Sequence, residues 1–213
     1  MAAHFPVAKQ LIGGAAGSIE VAMHMSADAP VRAMAIIAHP HPLFGGSMDN
    51  KVVTTMARAM FDAGAAVVRF NFRGVGKSEG AHDEGRGETD DMLAVIDFAN
   101  TVVSGVSRPL WLGGFSFGGA VALAASARCR VDEMVLVAPA FDRLTRLNSM
   151  EDVGKPPAST LLIHGGKDDT VALAGSLAWA KPRDMAVVVV PEADHFFHQR
   201  LHIIKRLVHQ HLR

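Results

Sequence analysis

From Val31 onward, short apolar runs alternate with amphipathic stretches, the pattern of βα units packed around a mostly parallel sheet. The runs Met34–Ala38, Ala66–Phe72, Leu110–Gly113, Glu133–Ala138, Thr160–His164 and Ala186–Val190 are apolar without alternation, which predicts strands covered by helices on both faces. Ser18–Met25 differs. There Ile19, Val21, Met23 and Met25 alternate with Ser18, Glu20, Ala22 and His24, which predicts a half-exposed antiparallel edge strand opening the sheet. Helices are expected over Asn50–Ala63, Glu88–Val103, Phe117–Arg128, Val171–Ala180 and Phe196–Leu212. In the last of these, Phe197, Leu201, Ile204 and Val208 line one stripe that should dock on the sheet. The architecture expected is therefore α/β, a twisted, mostly parallel sheet with helices on both faces, forming a single domain over residues 1–213. The longest irregular stretch, Pro139–Ser159, is too short to hold a cap domain.

Composition narrows the class. With 213 residues, 49% of them hydrophobic and 20% charged, the chain can form a stable core. Folding should remove roughly 70% of the unfolded surface from water, without help from disulfides or a structural metal. Twenty-one basic and 21 acidic residues cancel, which removes the electrostatic case for a nucleic-acid or anionic-membrane partner and favours a small-molecule one. The single cysteine, Cys129, has no internal partner, which fits a reducing compartment. His4, Pro6 and Lys9 interrupt the apolar stretches at the start, and no later run has the 18 or more apolar residues of a membrane span. The expectation is a soluble, cytoplasmic protein. Oligomeric state is not specified, although an edge at Ser18–Met25 would be available to a second copy.

The strongest chemical signal is Gly113-Gly114-Phe115-Ser116-Phe117-Gly118-Gly119, a G-x-S-x-G core directly after a strand and directly before an Ala-rich helix. A strand that turns this sharply into a helix strains the central residue and presses the residues two positions away against the adjoining chain, where Gly114 and Gly118 carry no Cβ to clash. The turn would hold the Ser116 hydroxyl above the sheet and aim the helix N–H groups at any oxyanion that forms. A serine hydroxyl needs a general base, and the base needs a group that fixes its tautomer. His195, in Pro191-Glu192-Ala193-Asp194-His195-Phe196, and Asp168, in His164-Gly165-Gly166-Lys167-Asp168, follow successive strands at the sheet edge where open α/β sheets bind ligands. Asp169, Asp194 and Asp142 are the alternative acids.

A strand-G-x-S-x-G-helix unit, then Asp168 in an H-G-x-x-D loop and His195 in a D-H loop, resembles the α/β-hydrolase superfamily over nearly the whole chain and in its Ser, Asp, His order. Two segments, His39-Pro40-His41-Pro42-Leu43-Phe44-Gly45-Gly46-Ser47-Met48-Asp49-Asn50 and Asn71-Phe72-Arg73-Gly74-Val75-Gly76-Lys77-Ser78-Glu79-Gly80, resemble a subgroup of small bacterial serine hydrolases without a lid. The resemblance implies an esterase-like enzyme acting on an ester or thioester, with no cofactor and no metal. Aligning His41 with the histidine of the family's H-G-x-x-G loop implies an oxyanion hole made by the backbone N–H groups of Leu43 and Phe117. Asn71 stands where many relatives carry aspartate, and Arg73 with its glycines reads as turn architecture.

Two other readings stay open. His39 and His41, with His164, Asp168 and His195, would suit a metal-dependent hydrolase, although the chain is shorter than the barrels that usually carry such a pair. A non-catalytic binding module on the same fold is the other. Phe44, Phe117, Phe141 and Phe196 are candidates for the wall of an apolar acyl pocket, which with no room for a cap predicts short or accessible acyl groups as substrates.

Overall fold

The computed structural model describes residues 5–102, 108–144 and 156–213. One sheet contains eight strands: β1 (Ala8–Gly14), β2 (Gly17–His24), β3 (Ala33–Ala38), β4 (Ala65–Phe70), β5 (Leu110–Phe115), β6 (Glu133–Val137), β7 (Thr160–Gly165) and β8 (Val187–Val190). Their spatial order is β1-β2-β4-β3-β5-β6-β7-β8. The pairs β1–β2 and β2–β4 are antiparallel, and every other pair is parallel. The helices are α1 (Lys51–Asp62), α2 (Arg86–Val102), α3 (Phe117–Ser126), α4 (Phe141–Leu144), α5 (Leu173–Ala180) and α6 (Leu201–His211). This is the expected fold class.

Because successive strand residues face opposite sides, β3 feeds two core layers. Met34, Ile36 and Ala38 pack in the layer that holds Met92 and Val95 of α2 and Val121 of α3. Ala35 and Ile37 pack in the other, with Met56 and Met60 of α1 and Ile204 and Val208 of α6. A strand buried on both faces needs apolar residues at every position, which is why these runs show no alternation. Helix α1 starts where it does because the Asn50 side chain accepts the Val52 N–H at 2.8 Å, satisfying a donor that the helix itself leaves open.

Three expectations need correction. The strand predicted at Ser18–Met25 is β2, and it is not the edge: β1 covers it, paired from Ala8↔Met23 to Gly14↔Gly17. β1 is largely exposed and only its Ile12 packs against the core, so it lacks the apolar pattern that marks a strand. The final helix begins at Leu201 and not at Phe196, because Phe197 and Gln199 take positive φ of 54° and 60°. Phe197 still reaches the same core layer as Ile204 and Val208, so the predicted stripe packs together although its first member lies outside the helix. The fourth predicted helix, Val171–Ala180, starts at Leu173. Val103 and residues 145–155 of the irregular segment lie outside the described residues. Among the described residues no helix is long and apolar enough to cross a membrane.

Candidate active site

The carboxyl ends of β5, β7 and β8 bring three side chains together. Ser116 stands between β5 and α3 with φ 56° and ψ −120°, a conformation that costs an L-residue about 1–3 kcal/mol and persists only where the surroundings fix it. Here they do. A Cβ on Gly114 would lie 2.2 Å from the Gly118 carbonyl oxygen, and one on Gly118 would lie 2.4 Å from that of His39, so both positions require glycine. Ser116 N–H donates to Val137 O at 2.9 Å, and Ala140 N–H donates to Ser116 O at 3.1 Å, tying the turn to the end of β6. Phe117 is the first residue of α3, so its N–H has no acceptor within the helix.

The His195 imidazole lies between a hydroxyl and a carboxylate: Nε2 is 3.1 Å from Ser116 Oγ, and Nδ1 is 2.8 Å from Asp168 Oδ2. A carboxylate only accepts, so Nδ1 carries the hydrogen and the Nε2 lone pair faces the Ser116 hydroxyl. Asp168 is held in turn, its Oδ1 accepting the N–H groups of Thr170 at 3.0 Å and Val171 at 2.8 Å. Burial works against its charge. The hydrogen bonds from His164, His195 and Val171 outweigh that penalty and hold the carboxyl well below the ordinary carboxylate range. The other acids do not reach the imidazole: Asp194 pairs with His198, Asp169 accepts from the Thr170 hydroxyl, and Asp142 lies across the cleft.

A cleft of about 380 Å³ opens over Ser116, walled by His41, Phe44, Phe117 and Phe141 and by the Thr170–Ala172 loop. Phe141 is stacked on Trp179, with ring centroids 4.2 Å apart and planes 12° apart, which gives the cleft a rigid aromatic side. Phe44 is 79% exposed at the mouth. Phe196 is not part of the wall and packs against the rings of His195 and Phe115.

The turn after β3 also differs from expectation. Residues Pro42–Phe44 form a 3-10 turn in which Phe44 and Gly46 N–H both donate to His41 O. This curls the Leu43 N–H back to His41 Nδ1 at 3.3 Å and leaves the Leu43 side chain 69% exposed, so His41 and not Leu43 faces the cleft. His39 is fully buried; its Nδ1 donates to Pro40 O at 2.6 Å and its Nε2 accepts Phe72 N–H at 3.0 Å. Both ring nitrogens being occupied, His39 has no lone pair to offer a metal, and the His39/His41 pair is not a chelate. Among the described residues no group of three or more His, Cys, Asp or Glu side chains is arranged to hold a metal ion.

A strained serine on a strand-to-helix turn above a mostly parallel sheet is the hallmark of an α/β hydrolase. The chain belongs to the alpha/beta hydrolase domain family, whose model matches residues 31–207. Among solved structures it is similar to a Xanthomonas campestris α/β serine hydrolase without a lid, at 37% identity over 98% of this chain and 95% of the other, with a TM-score of 0.87. An α/β serine hydrolase homologue from Coxiella burnetii is 36% identical, covers 97% of both chains and has a TM-score of 0.85. An uncharacterized Rickettsia prowazekii protein is 28% identical over 207 residues, 93% of this chain and 86% of the other.

Proposed function

We propose that this α/β hydrolase is a serine esterase or thioesterase of small acyl substrates, with Ser116 as nucleophile, His195 as general base and acid, and Asp168 as the group that orients the imidazole. The observation that carries this reading is the continuous Ser116–His195–Asp168 hydrogen-bonded line, with spacings of 3.1 and 2.8 Å. Ser116 Oγ attacks the substrate carbonyl carbon while its proton passes to His195 Nε2. The tetrahedral intermediate then expels the alcohol or thiol, which takes that proton, and leaves the acyl group esterified to Ser116. Water attacks the acyl-enzyme, giving one proton to His195, and collapse releases the acid and returns the proton to Ser116. The Phe117 N–H stabilises the oxyanion from the start of α3. With the Leu43 amide turned onto the His41 ring, the second donor is assigned to the other peptide N–H of that turn, the His41 amide.

The cleft's small volume and aromatic wall favour short acyl groups, with Phe44, Phe117 and Phe141 in contact with the acyl chain. The working site is expected to be a cytoplasmic one needing no cofactor. Intact-mass measurement after exposure to a fluorophosphonate tests the reading. One adduct on the folded protein, absent from Ser116→Ala and from heat-denatured protein, is expected. A folded protein that stays unlabelled sinks the assignment. On a graded ester series, acetate and butyrate esters should turn over faster than long-chain esters, and the reverse order would refute the short-acyl reading.

A further inference from the structure

We infer that His164 is a positioning residue for the catalytic acid, an imidazole that locks the Asp168 carboxylate against His195 and the cleft wall against both. The inference rests on the Ser116–His195–Asp168 reading above. His164 ends β7 and is fully buried. Its Nε2 lies 2.9 Å from Val171 O and 3.4 Å from Asp168 Oδ2, and its Nδ1 lies 2.9 Å from Ser176 Oγ. A peptide carbonyl can only accept, so Nε2 carries the hydrogen, and in the singly protonated ring Nδ1 accepts the Ser176 hydroxyl proton. That tautomer gives Nε2–H two acceptors in one direction, the near one Val171 O and the farther one the carboxylate oxygen that also receives His195 Nδ1–H.

The consequence is mechanical as well as electrostatic. Val171 donates its own N–H to Asp168 Oδ1, so the loop is tied to the carboxylate at one peptide group and to His164 at the other. Val171 also lines the cleft, and Ser176 comes from α5, whose Gly175 lines it too. One imidazole therefore sets the position of the acid, the loop and the helix behind the substrate. The other charged groups around Asp168 are Lys167 paired with Glu192, Asp169, and Asp194 paired with His198; their side chains face solvent, leaving the inward side of the carboxylate to the two imidazoles. Asp142, in the first turn of α4, lines the cleft.

The test compares His164→Leu, His164→Gln and Ser176→Ala using 4-nitrophenyl acetate turnover and the imidazole proton and nitrogen resonances. Leu fills the space without a donor, whereas the Gln side-chain amide places an N–H near the position of Nε2. His164→Leu is expected to lose about 10²-fold in kcat, as misplacement by about an ångström does, with KM little changed. Its acid limb in kcat/KM should move to higher pH, since a carboxylate deprived of one donor holds the His195 imidazolium more firmly. His164→Gln should recover most of the loss, and Ser176→Ala should fall between. The far-downfield His195 Nδ1–H resonance should move in His164→Leu and return in His164→Gln.

A raised KM at unchanged kcat would overturn the proposal by showing that His164 holds only the cleft wall. So would a kcat loss that Gln does not rescue and that leaves the limb in place. Should His164→Leu not fold, the ranking of His164→Gln above Ser176→Ala carries the test. A wild-type protein that neither turns over the ester nor takes the fluorophosphonate refutes the hydrolase reading. In that case the His195 resonance still decides whether His164 acts on Asp168, and an unmoved resonance in the folded variants overturns the inference by itself.

Discussion

His39 and His195 sit at the same end of the sheet, at 0% and 3% exposure, and each has hydrogen-bond partners at both ring nitrogens. They differ in what those nitrogens hold. His39 donates to a peptide carbonyl and accepts a peptide N–H, and burial pushes its pKa down to about 4, so it stays neutral and has nothing to exchange a proton with. His195 touches a carboxylate and a serine hydroxyl, one able to stabilise an imidazolium and the other able to give up a proton. A buried, doubly bonded histidine is therefore not by itself a base. Side-chain partners that can change charge make it one, and backbone partners make it a staple.

The most severe way to break that contrast is to delete each imidazole. His195→Ala and Ser116→Ala are expected to lower kcat by about 10⁴-fold or more, and Asp168→Asn by about 10⁴-fold, because the wrong tautomer then faces Ser116. His39→Leu, assayed on folded protein at pH 7, should stay within about tenfold of wild type, since it removes no group that touches the reacting atoms. Comparable losses at the two histidines, measured as kcat/KM on a 4-nitrophenyl ester, would end the distinction.

Stability sharpens the same contrast from the other side. A histidine with a folded pKa of about 4 and an unfolded value of 6.5 binds its proton only in the unfolded chain between those pH values. Its contribution is thus fully present above pH 6.5 and is lost as the pH falls through that window, by about 3 kcal/mol at pH 4. Urea unfolding from pH 7 to pH 4 should show this slope in wild type together with one from His24, whose pKa burial also lowers to about 4, and a flatter slope in His39→Leu, where the His24 part remains. The variant should also be less stable at pH 7 by about 1–3 kcal/mol, because Phe72 N–H loses its acceptor. Below pH 4 a further loss is expected as Asp168, whose carboxyl is held below its ordinary range, takes up a proton.

The parts of this molecule that were legible in the sequence are those that repeat a local rule. Strands β3 to β7 showed as apolar runs because both faces are covered, whereas the apolar run of β8 lies at the sheet edge with Val189 exposed, contrary to the expected cover on both faces; the elbow showed because Gly114 and Gly118 have no room for a Cβ. What stayed hidden depends on contacts between distant segments. β1 has one side chain against the core, Ile12, and is held mainly by its ladder with β2, a feature no hydrophobic pattern records. Phe197 fits a helical stripe by spacing, yet positive φ at Phe197 and Gln199 delays α6 to Leu201. His164 was visible as part of an H-G-x-x-D loop, but its role depends on Ser176, twelve residues on, and on the direction of one carbonyl. The Asx-like run Asp168-Asp169-Thr170-Val171 was the available signal that Asp168 caps its own loop.

Phe141 offers a smaller perturbation on the catalytic side. Its ring separates the cleft from Trp179, so Phe141→Ala should deepen the cleft along that wall without touching the Ser116–His195 line. The ratio of kcat/KM for hexanoate over acetate esters should rise by about tenfold, the scale on which apolar pockets discriminate a methylene or more. An unchanged ratio would place the acyl chain elsewhere.

The smallest expected effect concerns the turn between the two histidines. Exchanging the peptide N–H of Leu43 for an ester oxygen deletes that single donor and leaves every side chain in place. Removing a donor that holds the oxyanion costs about 10²–10³-fold in kcat. The Leu43 N–H is bonded to His41 Nδ1 at 3.3 Å, close to the outer limit of a hydrogen bond, and Leu43 itself points to solvent. The exchange should therefore cost less than about tenfold, through a loosened His41 ring. A loss of 10²-fold or more would mean that the turn reorganises when substrate binds, swinging the Leu43 amide from the His41 ring to the oxyanion. His41 would then be a parking acceptor for the Leu43 donor, and the division between a structural β3 end and a chemical β7–β8 end would hold only for the empty enzyme.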